Sequence, residues 1–375
     1  MCARGGDASL RIVVDEPTAP RGHVPGIDGH RVAAISPGGG LRAALRALEP
    51  LLGGQALRAA GTAAPLERSS FSSDVPTVAS CILLEQPGER AVAPSDRSGI
   101  DAFLDGVQRS RVLGHLAGAP IIFATVGAAI RERRDRRLEQ WGDPWVNHMI
   151  LASRALIGEG AWGSLEAAGV APLDLSEGNS NVAPLHPLAV RARALDVVAQ
   201  EREALERRLA ADWCRSEDRW LWIDGGVSGS LAVDAHSPAF GVVKSHHTLY
   251  GDDQTMRTTL ALPVGERSPL FLVQHRARRA VASWYLRLHQ SADGDPLHGL
   301  VRVEVAPPLT LFQPHDTDGR HPESTALALL TTRADTISAW ILAERAPLAL
   351  PDGRWDTLTY GVYACEQYLK AVIGS

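Results

Sequence analysis

Residues Ala102-Phe103-Leu104-Asp105-Gly106-Val107 and Trp220-Leu221-Trp222-Ile223-Asp224-Gly225-Gly226 decide how this chain is read. In each, an apolar run suited to a buried strand ends on an aspartate that is followed at once by glycine. A carboxylate in that position sits in a low-dielectric setting and needs a proton, a basic partner or a cation. Each Asp-Gly also has a plain reading as a turn, in which Asp bonds its own backbone and Gly supplies a positive φ. Two such tips, taken with the elements between them, tilt the balance toward a shared metal site.

The segments around these tips give the fold class. Three apolar runs, 102–107, 112–116 and 120–126, are spaced as an antiparallel meander. Helices are expected over 127–140 and 145–157, a loop-rich connection over 158–186, and a long helix over 187–213 with Leu195, Ala199, Leu209 and Trp213 on one stripe. The Asp224 strand follows, then a strand over 239–243 that leads into Lys244. A hairpin over 283–289 and 299–306 places Val301, Val303 and Val305 on one side and Arg302 and Glu304 on the other. Helices over 336–345 and 358–373 close the chain. The first 95 residues, rich in Gly, Ala and Pro, offer only short candidates: strands over 11–14 and 77–84, and a helix over 40–48.

Composition narrows the function classes. The chain has 375 residues, 45% of them hydrophobic, which is enough for one large α/β domain with elaborations or for two domains. No apolar run approaches the length of a membrane span, and residues 1–7 lack the apolar core of a secretion signal, so a cytoplasmic location is expected. Cys2, Cys81, Cys214 and Cys365 are scattered singly, without zinc spacing. The triple glycine 38–40 lacks the Lys-Ser/Thr of a nucleotide-binding P-loop. A net charge of −5 argues against a uniformly basic surface, although a nucleic-acid enzyme needs only a local basic groove. Basic clusters at 131–137, 207–208 and 275–279 could each supply one, or could be solvated helix or loop surface.

The order of elements, a meander with Asp on its first strand, helices, a glutamate-bearing helix and a fourth strand ending in Asp, resembles the ribonuclease H-like fold. That fold is a mixed α/β sheet flanked by helices, here with N-terminal and C-terminal elaborations. Within it, the segments 103–110, 221–225, 241–245, 284–288 and 301–304 and the Tyr360 helix resemble the NurA nuclease family over roughly residues 100–375. Residues 96–375 would then be the nuclease domain, and residues 1–95 an extension for partner binding or dimerisation.

The resemblance implies a DNA nuclease that uses Mn²⁺ or Mg²⁺, two ions in all, and works as a homodimer with a HerA-type hexameric DNA-translocating ATPase. Asp105 and Asp224 match the family's aspartate positions. The helix ligand is Glu206, Glu203 or Glu201, with Glu206 favoured because it shares the apolar stripe. The family's last helix carries a tyrosine and then a histidine, whereas the helix at Tyr360 has none; Glu366 stands there as a replacement ligand or as half of a salt bridge. Lys244 could meet the scissile phosphate or be a strand-end surface residue. Arg302 could face the groove or pair across its strand, and Arg109 is a further candidate for nucleic-acid contact. The cluster 315–321 and the pair His246-His247 contain metal-ligand residue types without ligand spacing.

Two competing functions follow from the same residues. One is an enzyme that cleaves RNA or an RNA–DNA hybrid. The other is a catalytically degenerate scaffold or DNA-binding subunit.

Overall fold

The computed structural model describes residues 40–52, 57–59, 76–135, 137–176, 186–230, 232–274, 278–290, 295–308, 311, 322–345, 357 and 359–373. In chain order the elements are α1 (Leu41–Leu52), β1 (Leu57–Ala59), β2 (Thr77–Ala79), β3 (Ile82–Leu83), β4 (Arg90–Ala91), β5 (Ala102–Leu116), β6 (Ala119–Arg134) and β7 (Arg137–Ala152). They continue with α2 (Arg154–Ala167), β8 (Leu173–Asp174), α3 (Pro187–Ser216), β9 (Leu221–Asp224), β10 (Ala239–Val243), β11 (Thr248–Tyr250) and α4 (Asp253–Leu260). The last are β12 (Glu266–Arg267), β13 (Phe271–Val273), β14 (Val281–Arg287), β15 (Leu300–Val305), α5 (Pro322–Glu344) and α6 (Tyr360–Ile373).

The result is a mixed α/β structure. Its main sheet runs β3-β13-β14-β15-β10-β9-β5-β6-β7-β8, with β1, β4 and β12 on side branches. β9 is parallel to both β5 and β10, while β5, β6 and β7 form an antiparallel meander. β1 pairs with β5, β3 with β13 and β4 with β12, so these strands of the first 95 residues join the same sheet, while β2 pairs with β11 in a separate two-stranded sheet. The expected strand at 11–14 lies outside the described residues.

The meander differs from the sequence expectation. The runs 102–107 and 112–116 are one strand, β5. The stretches 127–140 and 145–152, expected as helix, are the far halves of β6 and β7. Alanines and alternating Arg and Glu give 127–134 a helical propensity, but β6 is paired with β5 and β7 along almost its whole length, and tertiary pairing overrides propensity. Small residues also serve packing here, since a Cβ on Gly127 would meet the Ile373 side chain of α6 at 2.9 Å. The register slip between Ala128 and Ile130 falls opposite Gly142 to Pro144, where a positive φ at Gly142 and a proline that cannot donate are both accommodated in a bulge. The stretch from 158, expected as loop, is helical as far as Ala167 in α2.

Helix α3 forms where expected and slightly beyond. His186 caps it through Nδ1, which accepts from the Leu188 amide at 3.1 Å, and Pro187 opens it, where a missing N–H costs nothing. Its face of Ala194, Val198, Leu205, Leu209 and Trp213 buries one side of the sheet against Leu104, Val126 and Ile223. The other side is covered by α5 and α6, where Phe103, Trp222, Phe240, Val242, Val301, Val303, Ile337, Ile341 and Val362 pack together. Alternation along β5 and β9 therefore puts Phe103 and Trp222 toward α5 and α6, and Leu104 and Ile223 toward α3. Helix α5 is much longer than the stretch 336–345 read from the sequence. No described helix is long and apolar enough to cross a membrane.

Gly361 shows how tightly α6 is set on the sheet, because a Cβ there would lie 2.3 Å from the ring of the fully buried Phe103. In an exposed helix Gly→Ala stabilises by about 1 kcal/mol. Here Gly361→Ala should instead destabilise by about 1–3 kcal/mol through overpacking. Urea denaturation followed by circular dichroism reads this directly, and an unchanged or raised midpoint would contradict the packing.

Candidate active site

The two aspartates meet, but only Asp224 ends its strand: β5 runs on from Asp105 to Leu116, so the strand tip expected at Asp105 is an interior strand position held by pairing with β6. β5 and β9 run parallel in the register Phe103↔Trp222 and Leu104↔Ile223, so the next step places Asp105 beside Asp224, on the face toward α6. β10 lies on the far side of β9 with Val242 opposite Asp224, and Lys244 follows two residues later. Lys244 Nζ is 2.8 Å from Asp224 Oδ1. Asp105 is buried, and its Oδ1 accepts from the Gly106 amide at 2.7 Å.

Glu206 enters from the opposite face. It is the one buried acidic residue of α3, and its carboxylate lies against Gly106; a Cβ on Gly106 would stand 2.1 Å from Glu206 Oε1. Glycine after Asp105 is thus required by this approach and not by a turn, since β5 continues through it. Arg202, one turn earlier on α3, forms an ion pair with Glu206 and donates from Nε to Gln108 Oε1 at 3.2 Å. Of the three glutamates considered for this role, only Glu206 is brought to the aspartates. Glu203 pairs with Arg207 and Arg278, and half-burial raises the Glu201 carboxyl while Arg208 and Arg207 oppose it.

Burial and like charge shift these groups together. The Asp105 carboxyl is held well above the usual carboxylate range, first by burial and then by the negative charge of Asp224; Lys244 opposes this and Glu206 adds to it. Glu206 is pushed up to about 7, mainly by burial, against the pull of Arg202 and with a further push from Asp224. Two carboxyls raised by burial beside the charge of Asp224 form an environment that a hard cation would relieve.

The loop after β9 is held in place by Glu304. Its Oε2 accepts from the Val227 amide at 2.9 Å, and Gly226 has no side chain where this carboxylate sits. Arg302 is the partner of Glu304. It is buried, lies over the Tyr250 ring at 4.9 Å and pairs with Glu304, so its guanidinium serves the interior rather than an open groove. Glu366 forms an ion pair with Lys370 at 2.9 Å on its own helix. The α6 residue buried at Asp105 is Cys365: its Sγ donates to Ala129 O, opposite Asp105 in the β5–β6 register, at 3.4 Å. Burial and the Asp105 charge push this thiol up. Arg109 is exposed on β5, four residues from Asp105. His246 donates from Nε2 to Leu300 O at 2.7 Å, and the cluster 315–321 lies outside the described residues.

Beside the carboxylates an open cleft of about 600 Å³ runs between α3 and the β9–β10 loop, bordered by Arg202, Glu203, Glu206, Arg207, Asp224 and Arg278. Among the described residues, no group of three or more His, Cys, Asp and Glu side chains stands arranged to enclose a metal ion. Lys244 and Arg202 occupy two of the three carboxylates instead. Arg202, Glu304 and Cys365 were not proposed for the site from sequence, and Arg278 only as part of the basic cluster 275–279. Arg202 carried a signal in its i,i+4 spacing to Glu206, whereas Arg278 and Cys365 are brought in from elements distant in sequence.

Compared with known proteins, the chain matches no protein-family model, and no curated protein matches it significantly.

The raised Glu206 carboxyl fixes a pH dependence. Because its folded value lies near 7 against an ordinary 4.5, its contribution to stability is fully present below about pH 4.5 and is lost as the pH rises through about 7. In chelator, the melting temperature of the wild-type protein should fall across that window, and Glu206→Gln should fall less. Scanning fluorimetry at fixed ionic strength measures both; identical profiles for the two proteins would show that Glu206 does not titrate as described.

Proposed function

We propose that this protein is a divalent-metal-dependent nuclease that hydrolyses phosphodiester bonds of DNA at Asp105, Asp224 and Glu206. The observation that carries the reading is the juxtaposition of Asp105 and Asp224 on the adjacent parallel strands β5 and β9 with the buried helix residue Glu206 packed on Gly106. The strand order β7-β6-β5-β9-β10, a meander whose first strand is followed by two parallel neighbours, supports the ribonuclease H-like form of the α/β fold. The NurA resemblance agrees with it on the same aspartates.

The donor set fits the group it would hold. Asp105, Asp224 and Glu206 offer only hard carboxylate oxygens, the ligands that Mg²⁺ and Mn²⁺ take, and their mutual repulsion is what two positive ions would neutralise. Held by Asp105, Asp224 and Glu206, two such ions would activate the attacking water and stabilise the leaving oxygen. The chain's own side chains contribute orientation and charge. Lys244, now on Asp224, has an ammonium within reach of a phosphate oxygen placed at the strand tip. The Glu206 carboxyl titrates near 7 in the metal-free protein, and as a ligand it would be held ionised by the cations. Glu304 fixes the loop after Asp224 and so the aspartate's direction.

With the NurA reading come a symmetric homodimer, a HerA-type hexameric ATPase that feeds DNA to the site, and a role in DNA end processing or defence against foreign DNA. The chain shows no motor motif of its own. A second reading is favoured by one observation: Lys244 and Arg202 already neutralise Asp224 and Glu206, as expected of a degenerate nuclease kept as a scaffold.

Cleavage assays separate the two. Purified protein, alone or with its ATPase, should degrade DNA in Mn²⁺ or Mg²⁺ and be silent in EDTA, and Asp105→Asn and Asp224→Asn should each lower the rate by at least about a hundredfold with folding intact. Absence of cleavage on DNA, RNA and hybrid substrates alike would favour the scaffold. Preference for RNA or hybrid would keep the chemistry and change the substrate.

A further inference from the structure

The cleft next to the carboxylates contains two guanidinium groups that share a single oxygen. Arg207 Nη1 and Arg278 Nη2 lie 3.4 Å and 3.6 Å from the same atom, Glu203 Oε2. Both distances are longer than a good charge-assisted hydrogen bond, so the carboxylate sits between the two cations without satisfying either well. The three side chains are 40%, 52% and 39% exposed, so the arrangement is open to a ligand.

The arginines come from separate elements that are fixed to each other. Arg207 belongs to α3, and its stem crosses Gly229, where a Cβ would lie 3.3 Å from Arg207 Cδ. Arg278 belongs to the connection between β13 and β14. The adjacent Arg279 ties that connection to the loop after β9, its amide donating to Ser228 O at 3.1 Å and its Nη1 to Val233 O at 3.4 Å. The two guanidinium groups are therefore held apart by backbone, across a gap that one carboxylate oxygen only partly fills. The bordering charges explain why the gap needs a gate: Arg202, Arg207 and Arg278 are matched by Glu203, Glu206 and Asp224. A polyanion entering this cleft gains little until one of the acidic groups moves away.

We propose that Arg207 and Arg278 form a clamp for a backbone phosphate of the nucleic-acid strand, flanking the phosphate to be cut, and that Glu203 occupies the clamp in the free protein and yields to the phosphate. A phosphodiester offers two non-bridging oxygens, one for each guanidinium, where the carboxylate offers one oxygen to both. Glu203 thereby sets a threshold: weakly held or short anions do not displace it, whereas a strand anchored elsewhere in the cleft does. The clamp rests on the nuclease reading for its substrate.

The test is fluorescence anisotropy of a labelled DNA oligonucleotide with the full-length protein, in a buffer where no cleavage occurs, across a range of salt. Glu203→Gln should tighten binding about five- to tenfold, as expected for removing one negative charge near a phosphate. The double variant Arg207→Gln/Arg278→Gln should weaken binding about tenfold and make the salt dependence shallower by about 0.7 in log–log slope, one neutralised phosphate on a single strand. Adding Glu203→Gln to that double variant should give no gain. Circular dichroism checks that each variant folds, which these exposed positions should allow.

Wild-type binding with Glu203→Gln equal or weaker, or a gain that survives without the two arginines, overturns the clamp. If wild-type protein cuts DNA in Mn²⁺ while all three variants bind as it does, the clamp falls and the nuclease reading stands. If wild-type protein neither cuts nor binds, both fall.

Discussion

Three carboxyl groups are forced together where β9 ends beside β5, and the rest of the structure around the site follows from managing their repulsion. Asp105 and Asp224 are neighbours by register, so neither can move away without breaking the β5–β9 pairing, and Glu206 is pressed onto Gly106 by the packing of α3. Burial denies Asp105 and Glu206 water. Burial and the Asp224 charge therefore raise the proton affinity of both, and the protein compensates with Lys244 on Asp224 and Arg202 on Glu206.

That compensation explains the residues between the charged groups. Gly106 is small because a carboxylate lies where its side chain would be, and Gly226 for the same reason beneath Glu304. Glu304 and Arg302 form a buried pair whose free carboxylate oxygen orders the loop after Asp224, a positioning role that neither residue reveals by its position in sequence. On the other face, Cys365 fills the space against Asp105, and apolar contacts of α6 with β5 and β6 close the site from that side. Of the cations that balance the carboxylates in the free protein, Arg202 borders the cleft.

Much of this frame was legible from the sequence because it depends on short, local patterns. The apolar runs ending at Asp105 and Asp224, the alternation of Val301, Val303 and Val305, and the Pro187 start of α3 each specify an element without reference to the rest of the chain. The halves of β6 and β7 over 127–152 were misread as helix because Ala, Arg and Glu favour helix locally, and only pairing with β5 makes them strands. The same limit applied to the site. Glu206 could be picked from its helical stripe, but Arg278 is brought to Glu203 by the tether of Arg279 to Ser228, and Arg302 was open as a groove residue until Glu304 and Tyr250 were seen to enclose it. Contacts between elements far apart in sequence leave no local periodicity to read.

The account turns on whether the charge trapped between β5 and β9 is completed by divalent cations. Crystals of the protein soaked in Mn²⁺ and measured for anomalous scattering test this most directly. The account predicts manganese peaks bounded by Asp105, Asp224 and Glu206, with the Lys244 ammonium moved off Asp224. Density that shows Lys244 still bound to Asp224 and Arg202 still bound to Glu206, with no anomalous peak at saturating Mn²⁺, would contradict it.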